Sequence, residues 1–254
     1  MRKFVVSLFA LALVSAAVAT AASGRHAGTF KYCTDPTFPP MEYALTSGKI
    51  VGFDVDMAAK LAPTWGDTAS ASKTGFSGLI PALNAKRCNA VISGIFITPD
   101  RKKQAGVVSY MKTHRVLIVK AGNPKNVHSP NQLKGLTVAV QAGTKYEVYL
   151  KALKAKIGFT LQSYPGDTDA VGQVLVGRAD AVLTQDTSFA YQAKQHPGKI
   201  AIGFTFAASD QFGIYFRKGD PIGQQIADGV AQLRSEGTLA KIATTYKIPV
   251  STVK

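Results

Sequence analysis

Cysteine and histidine are scarce in this chain of 254 residues, which contains two cysteines and four histidines. These residues do not fall at the spacings typical of metal ligands, so we expect no zinc site. The sequence also lacks a Gly-x-Ser-x-Gly motif, paired carboxylates, and a nucleophile with a partner histidine. No glycine loop has phosphate-binding spacing. We therefore expect no catalytic residues, no metal and no cofactor.

Long hydrophobic runs are confined to the N-terminus. Arg2 and Lys3 precede an apolar run over residues 4–18 and then small residues. This pattern is typical of a secretory signal peptide, which we assign to residues 1–21, with cleavage after Ala19 or Ala21. No later segment approaches the ~20 apolar residues of a membrane span. We expect a water-soluble protein that is exported to the periplasm.

The two cysteines, Cys33 and Cys88, would be expected to oxidise in an exported protein if they can meet. The sequence places Cys33 near the carboxyl end of one strand and Cys88 at the start of another. In neighbouring parallel strands they would be several residues out of register, which is beyond disulfide reach. This argument is against a disulfide but leaves the pairing open.

Acidic residues are few, because 15 Asp and Glu residues face 30 Lys and Arg residues. Loss of Arg2 and Lys3 with the signal peptide leaves 28 basic residues against 15 acidic ones, a net charge of +13. The basic residues are spread along the chain and are not interleaved with aromatic residues. We therefore do not expect nucleic acid as a partner. A solvated basic surface, or one that steers anionic ligands, fits better.

Strands and helices alternate along the chain. Residues 29–34 predict a short strand, and Asp54 is placed as the cap of a following helix. Residues 87–93 resemble residues 178–184, and each segment holds the corresponding place in one half of the chain. The alternation indicates parallel sheets. We therefore predict an α/β fold with two similar lobes, each a mainly parallel sheet flanked by helices.

Two β-rich segments connect the predicted lobes, with crossings near residues 115–120 and 209–214. The first lobe is predicted to comprise residues 25–116 and 213–254, so that the final helices pack on it. The second lobe is predicted to comprise residues 120–208. A two-stranded connection would act as a hinge that lets the lobes close.

Two strand-to-helix junctions have the clearest chemical pattern. Thr98 and Thr144 each follow an apolar strand and precede a helix, so both are predicted N-caps. Thr144 also begins a Thr-x-x-Glu capping box. Each junction leaves unpaired N–H groups at a positive helix end, and Arg101 lies in the first of these helices. Two such ends that face one cleft would hold a small anion.

The residues beyond the carboxyl ends of the strands, where open α/β sheets bind ligands, suit a zwitterion. Arg101 can take a carboxylate with help from Thr98 and Thr144. Carbonyl oxygens near Ser93 and the carboxylate of Asp186 can accept from an ammonium group. Each candidate also has an alternative as a helix cap, a core residue or a solvated surface residue. The candidates are Phe38, Phe76, Ser93, Gly94, Phe96, Thr98, Arg101, Gln141, Thr144, Lys145, Gln185 and Asp186.

With these motifs in place, the chain resembles the family 3 extracellular solute-binding proteins, the periplasmic receptors for polar amino acids of ATP-driven (ABC) importers. The resemblance implies two lobes that close on a ligand and then dock to a membrane permease, and we expect a monomer. It also implies that Arg101 binds the ligand α-carboxylate, that Phe38 packs on the ligand, and that Ser93 and Gly94 meet the α-amino group. The matching segments are residues 34–40, 51–56, 78–83, 92–94, 97–101, 140–144 and 237–242.

Three positions depart from the family pattern. Phe96 stands where the family usually has Ser or Thr, which removes a hydroxyl and adds bulk. Lys145 follows the pocket threonine and would favour a ligand with a second anionic or carbonyl group. Gln185 occupies the place where many relatives have an ammonium-binding Asp, and Asp186 follows it. If Asp186 cannot reach the ligand, an opine-like or other carboxylated nitrogen compound becomes credible.

Two other functions remain as alternatives to a transport receptor. Some proteins similar to this family are periplasmic dehydratases that act on cyclohexadienyl substrates, and Lys145 or Asp186 could supply an acid or base. The chain could also present its ligand to a chemoreceptor or a sensor kinase. The lack of a catalytic constellation favours a binding protein that is not an enzyme.

Overall fold

The computed structural model describes residues 28–254, so the predicted signal peptide lies outside the described residues. The strands are β1 Thr29–Thr34, β2 Thr37–Phe38, β3 Glu42–Ala44, β4 Ile50–Val51, β5 Thr68–Lys73, β6 Ala90–Val91, β7 Gly106–Lys120, β8 Thr137–Gln141, β9 Thr160–Tyr164, β10 Ala181–Gln185 and β11 Ile200–Phe216. The helices are α1 Phe53–Leu61, α2 Leu79–Asn84, α3 Pro99–Gln104, α4 Lys145–Ile157, α5 Asp167–Leu175, α6 Asp186–Gln195, α7 Ile222–Ser235 and α8 Thr238–Thr245.

The main sheet has a nearly symmetric strand order, β5-β1-β6-β11-β7-β10-β8-β9. The long strands β11 and β7 pair antiparallel at its centre, β6 flanks β11, and β10 flanks β7. Outside them, β1 and β5 in one half are parallel to β6, and β8 and β9 in the other half are parallel to β10. The matching segments at residues 87–93 and 178–184 therefore lead into equivalent strands.

The two halves form the predicted α/β lobes, and β7 and β11 form the two-stranded hinge. Their pairing runs from Gly106 opposite Phe216 to Lys120 opposite Ile200. A register shift between Thr205 and Ser209 interrupts the ladder near its middle. The lobe boundaries given above remain predictions.

The C-terminal helices α7 and α8 pack against α1. In α7, the apolar residues Ile222, Ile226, Val230 and Leu233 recur at helical spacing and face the core that includes α1. Gly229 allows this close approach, because a Cβ there would lie 2.7 Å from a side-chain carbon of Leu61 in α1. This packing is what the predicted place of the last two helices in lobe 1 requires, and that assignment stays a prediction.

The argument against a disulfide was wrong, because Cys33 and Cys88 are bonded, with their Cα atoms 5.8 Å apart. The strand register does place Cys33 opposite Val91, three residues beyond Cys88. However, the chain before β6 is not extended, and the N–H of Asn89 already donates to the carbonyl of Lys31 at 2.7 Å. This bend returns Cys88 to the side of β1.

The predicted capping role of Asp54 was also wrong. Gly52 is the N-cap of α1, and Asp54 lies inside the first turn with its side chain buried. Its carboxylate accepts hydrogen bonds from the N–H of Gly94 at 2.7 Å and from the hydroxyl of Tyr110 at 2.8 Å. Burial raises the pKa of Asp54 to about 6. The residue is a buried acceptor that holds the β6–α3 loop on lobe 1.

Candidate functional site

The cleft between the lobes lies where the carboxyl ends of β1 and β6 face those of β8 and β10. Direct contacts join its two walls. The side-chain amide of Gln141 in lobe 2 donates to the carboxylate of Asp35 in lobe 1 at 2.7 Å. The guanidinium of Arg101 in lobe 1 donates to the carbonyl of Gly143 in lobe 2 at 3.4 Å. The lobes are therefore closed on each other.

Arg101 lies at the centre of this contact as a cation without an acidic partner. Its Nη1 donates to the carbonyl of Phe96 at 3.0 Å, and its Cζ lies 5.5 Å from the ring centre of Phe76. Within residues 28–254, no carboxylate forms an ion pair with Arg101. Burial lowers the pKa of Arg101 because desolvation disfavours the charged form. The arrangement orients a cation that can bind an anion.

Both predicted threonine caps are confirmed. The hydroxyl of Thr98 accepts from the N–H of Arg101 at 3.3 Å, and the hydroxyl of Thr144 accepts from the N–H of Glu147 at 3.2 Å. In a standard capping box the Glu147 carboxylate would accept from the N–H of the cap residue Thr144. Here it accepts from the N–H of Gly143, one residue earlier, at 2.9 Å. These contacts fix the starts of α3 and α4 on opposite walls of the cleft.

Aromatic rings line the floor of the cleft. The ring centre of Phe96 lies 4.9 Å from that of Phe212 and 5.0 Å from that of Tyr146, and all three side chains are buried. Phe38 meets Phe212 edge-on at 6.1 Å. The hydroxyl of Tyr146 is buried and has no hydrogen-bond partner among the described residues. These rings belong to the buried core beneath the cleft, where the Tyr146 hydroxyl is unsatisfied among the described residues.

Lys145 is the second cation of the cleft, and it has an acidic partner. Its Nζ forms an ion pair with Asp210 and lies 4.4 Å from the ring centre of Phe96. Asp210 also lies 3.2 Å from the Nε of Arg115. The predicted preference for a second anionic group of the ligand stays a prediction, and the ion pair argues against it.

Ser93 and Gly94 lie beneath the cleft and brace the loop between β6 and α3. The Ser93 hydroxyl donates to the carboxyl of Glu42 and accepts from the N–H of Asp35, both at 2.9 Å. Gly94 has a φ of 46° and touches Phe38, because a Cβ there would lie 2.6 Å from that ring. Burial and the neighbouring Asp54 raise the pKa of Glu42 well above its usual range. These two residues position the pocket, and their contact with a ligand remains a prediction.

The adjacent residues Gln185 and Asp186 have different surroundings. Gln185 is buried, and its side-chain amide lies 2.8 Å from the hydroxyl of Thr184, which donates to Asp167. The carboxylate of Asp186 accepts from the hydroxyl of Thr113 at 2.6 Å and from the N–H of His114 at 3.3 Å. Asp186 is thus held against β7, and its predicted contact with an ammonium group is untested.

The predicted site residues do not include two buried acids near the cleft, although the strand-end rule did select the segment that begins at Asp35. Burial raises the pKa of Asp35 and that of Asp167 to about 6 each. The two oxygens of Asp167 accept from the hydroxyls of Thr184 and Ser188, and the carboxylate of Asp35 accepts from the side-chain amide of Gln141. The position of Asp35 at the end of β1 was a usable signal, because ligands bind there in such sheets. Asp167 gave no comparable signal.

A cavity of about 440 Å³ opens beside the cleft, between α6 and the C-terminal segment of lobe 1. Its walls include Tyr43, Asp186, Thr187, Tyr191 and Tyr246. It includes neither Arg101 nor Lys145, and Asp186 is the candidate site residue in its wall. The described part of the chain contains no cluster of metal-binding side chains and no helix with the length and apolar character of a membrane span.

Comparison with known proteins identifies the family. Residues 30–248 match the model of the bacterial extracellular solute-binding proteins, family 3. The chain belongs to this family. The resemblance inferred from the motifs is thereby confirmed, and the site described above lies in the cleft between the two lobes of the family's fold.

Individual family members show the same similarity. The L-cystine-binding protein TcyJ of Escherichia coli K12 is 28% identical over 87% of this chain and 84% of its own length. The histidine-binding periplasmic protein of the same strain is 30% identical over 97% of each chain. The structure of an ancestral arginine-binding protein bound to arginine superposes with a TM-score of 0.82 at 31% identity, over 86% of this chain and 98% of that one.

Proposed function

We propose that this protein captures an amino acid, or a related small compound with one carboxylate, between its two lobes and delivers it to the membrane permease of an ABC importer. The observation that carries the proposal is Arg101. Its guanidinium is partly buried in the cleft, is oriented by two carbonyl oxygens, and has no acidic partner among residues 28–254. A ligand carboxylate would supply the missing countercharge through a two-pronged, charge-assisted contact.

The cationic group of the ligand is proposed to lie toward Asp35. This carboxylate is buried at the lobe contact and is not part of an ion pair among the described residues. An ammonium or guanidinium group of the ligand would favour its ionised form. Many relatives are expected to bind the ligand ammonium group with an Asp at the position of Gln185. Asp35 could take that role in this protein, so a ligand with a free amino group remains compatible with the cleft.

The names of the relatives agree with this proposal in part, since histidine and arginine each carry one carboxylate, whereas cystine carries two. The histidine-binding relative is named as a periplasmic protein, which supports export of this chain to the periplasm, the expected site of ligand capture. We propose a monomer, with no nucleic acid partner. A chemoreceptor or a sensor kinase would recognise the same closed form as a permease. We propose a permease as the partner because of family membership.

A catalytic role is the second candidate, because one similar structure is described as an ancestral amino acid-binding protein that is a precursor of cyclohexadienyl dehydratase, with a TM-score of 0.78 and 30% identity. The pKa values of about 6 for Asp35 and Asp167 would suit an acid or base. Both residues have structural hydrogen bonds, and the precursor itself is described as a binding protein, so we propose binding without turnover.

A thermal-shift screen tests the proposed function. The protein is unfolded and refolded to remove co-purified ligand, and is then mixed with L-arginine, L-histidine, L-cystine, L-glutamine or a cyclohexadienyl acid. A ligand at 100 times its Kd should add about 2.7 kcal/mol and raise the melting temperature by several degrees. No shift with any amino acid would contradict the proposal, and consumption of the cyclohexadienyl acid would favour the enzyme.

A further inference from the structure

Lys145 and Asp210 join the second lobe to the hinge at the wall of the cleft. Lys145 is the first residue of α4, and Asp210 lies on β11, where it is opposite Thr113 of β7. The two side chains form an ion pair, and the Lys145 ammonium also lies 4.4 Å from the ring centre of Phe96. Because Phe96 forms part of the cleft floor, this ammonium lies where it could meet a ligand.

Asp210 is held by two cations and is itself well shielded from solvent. Its side chain is 10% exposed, and those of Lys145 and Arg115 are 23% and 20% exposed. The Arg115 guanidinium lies over Phe206, with Cζ 4.7 Å from the ring centre, and its Nε lies near Oδ2 of Asp210, whereas Lys145 pairs with Oδ1. The hydrogen bond from Lys145 therefore meets a fixed, partly buried acceptor.

This arrangement penalises a second carboxylate on the ligand. Such a group could reach the Lys145 ammonium only by approaching the Asp210 carboxylate or by displacing it. Like charges in a partly buried site disfavour each other, and a displaced Asp210 would lose one of its two cations. A neutral side chain of the ligand meets no such cost.

We propose that Asp210 is a specificity-determining residue, which sequesters Lys145 and so restricts the cleft to ligands with a single carboxylate. This inference rests on the proposed function, because it assumes that the ligand α-carboxylate binds Arg101. It reverses the preference that Lys145 alone would indicate. The hinge acid, rather than the pocket lysine, decides how much negative charge the ligand can carry.

The test measures binding of L-glutamine and L-glutamate, which have the same shape and differ in charge, by calorimetry on wild type and on Asp210→Asn. Wild type should bind glutamine at least about tenfold more tightly than glutamate, and Asp210→Asn should shift this ratio toward glutamate by about tenfold or more. The double variant Asp210→Asn/Lys145→Met should lose the shift. Lys151→Met is the matched control on α4, because Lys151 is exposed and pairs with Glu147.

Three outcomes would overturn the proposal. The first is an unchanged ratio in folded Asp210→Asn. The second needs no variant and is equal or tighter binding of glutamate by wild type. The third is a shift that survives in the double variant, since it would not depend on Lys145. If wild type binds other single-carboxylate amino acids through Arg101 but Asp210→Asn gains no glutamate binding, this inference alone fails. If no amino acid binds at all, the proposed function fails with it.

Discussion

Arg101 and Lys145 are both partly buried cations at the same cleft, but they differ in their partners and in their support. Arg101 is held by carbonyl oxygens and by the lobe 1 core, whereas Lys145 is held by an ion pair with Asp210 on the hinge. The carbonyl of Phe96 that orients Arg101 also accepts from Tyr215 at 2.7 Å. Arg101, which has no acidic partner within residues 28–254, is the cation prepared for an anionic ligand.

The support on the Arg101 side includes the disulfide. Cys33, Cys88, Phe76 and Tyr215 belong to one buried cluster of lobe 1. Phe76 contacts the Arg101 guanidinium through its ring, and Tyr215 contacts the same carbonyl as Arg101. The disulfide therefore stabilises the wall that presents Arg101, while the Lys145 wall depends on charges that can be removed singly.

Removing the disulfide that supports the Arg101 wall should have the largest effect, and that effect is on the free energy of unfolding. The bond closes a loop with a sequence separation of 55, so its loss should lower the free energy of unfolding by about 4 kcal/mol in the chain-entropy treatment. Urea unfolding of Cys33→Ser/Cys88→Ser measures this, and reduction of wild type should produce the same change. A loss below about 1 kcal/mol would mean that the Arg101 wall does not depend on the cross-link.

Arg101→Met should have the next largest effect. The variant removes the partner of the ligand carboxylate, which should weaken binding by about 100-fold or more, near 3 kcal/mol, with little change in the melting temperature of the free protein. Calorimetry with the best ligand from the screen measures the loss. Lys102→Met is the control, because Lys102 is exposed on the same helix. Similar affinities for the two variants would remove Arg101 from the site.

The buried acids should make stability and binding respond to pH in opposite directions. The pKa of Asp35 is about 6 in the folded protein against an ordinary value of 3.8, so protonation favours the folded state. Stability should therefore rise as the pH falls from 7 to about 4, and Asp35→Asn should reduce this rise by about 2 kcal/mol or less. Thermal melts across this range test the sign, and a larger rise in the variant would contradict it.

Ligand affinity should instead weaken as the pH falls through about 6, because a cationic ligand group needs the ionised form of Asp35. The loss should approach about tenfold per pH unit below that point if one carboxylate controls binding. Calorimetry at pH 7.5 and pH 5 measures the effect. An affinity that does not change between these values would exclude Asp35 as the partner of the ligand cation.

Phe76→Leu should have the smallest effect. Loss of the ring beneath Arg101 removes a cation–π contact worth about 0.5–1 kcal/mol, so affinity should fall by about two- to fivefold. Phe206→Leu is the matched control, because Phe206 stacks on Arg115 rather than on Arg101. If the two variants weaken binding equally, the effect of Phe76 is one of general packing.

Local patterns predicted much of this molecule. The bounds of β1, the caps Thr98 and Thr144, and the equivalence of β6 and β10 follow from residue types that act on their near neighbours. The hinge crossings were predicted only as short segments near residues 115–120 and 209–214, whereas β7 and β11 extend over Gly106–Lys120 and Ile200–Phe216. The family followed from several such motifs in order.

The contacts that define the site depend on groups far apart in the chain. The pairing of Lys145 with Asp210 joins residues 65 positions apart, and that of Gln141 with Asp35 joins residues 106 apart. Neither pairing follows from spacing, because each requires the register of the hinge and the closure of the lobes. The disulfide was missed for a related reason, since a bend before β6 changes the position of Cys88.

The most direct test of the account compares the best amino acid ligand with its α-carboxamide, which keeps the amino group and the side chain but lacks the carboxylate charge. Calorimetry on refolded wild type should show micromolar or tighter binding of the amino acid, near 8 kcal/mol or more, and about 100-fold weaker binding of the amide. Equal binding of the two compounds would contradict the assignment of Arg101 as the residue that binds the ligand carboxylate.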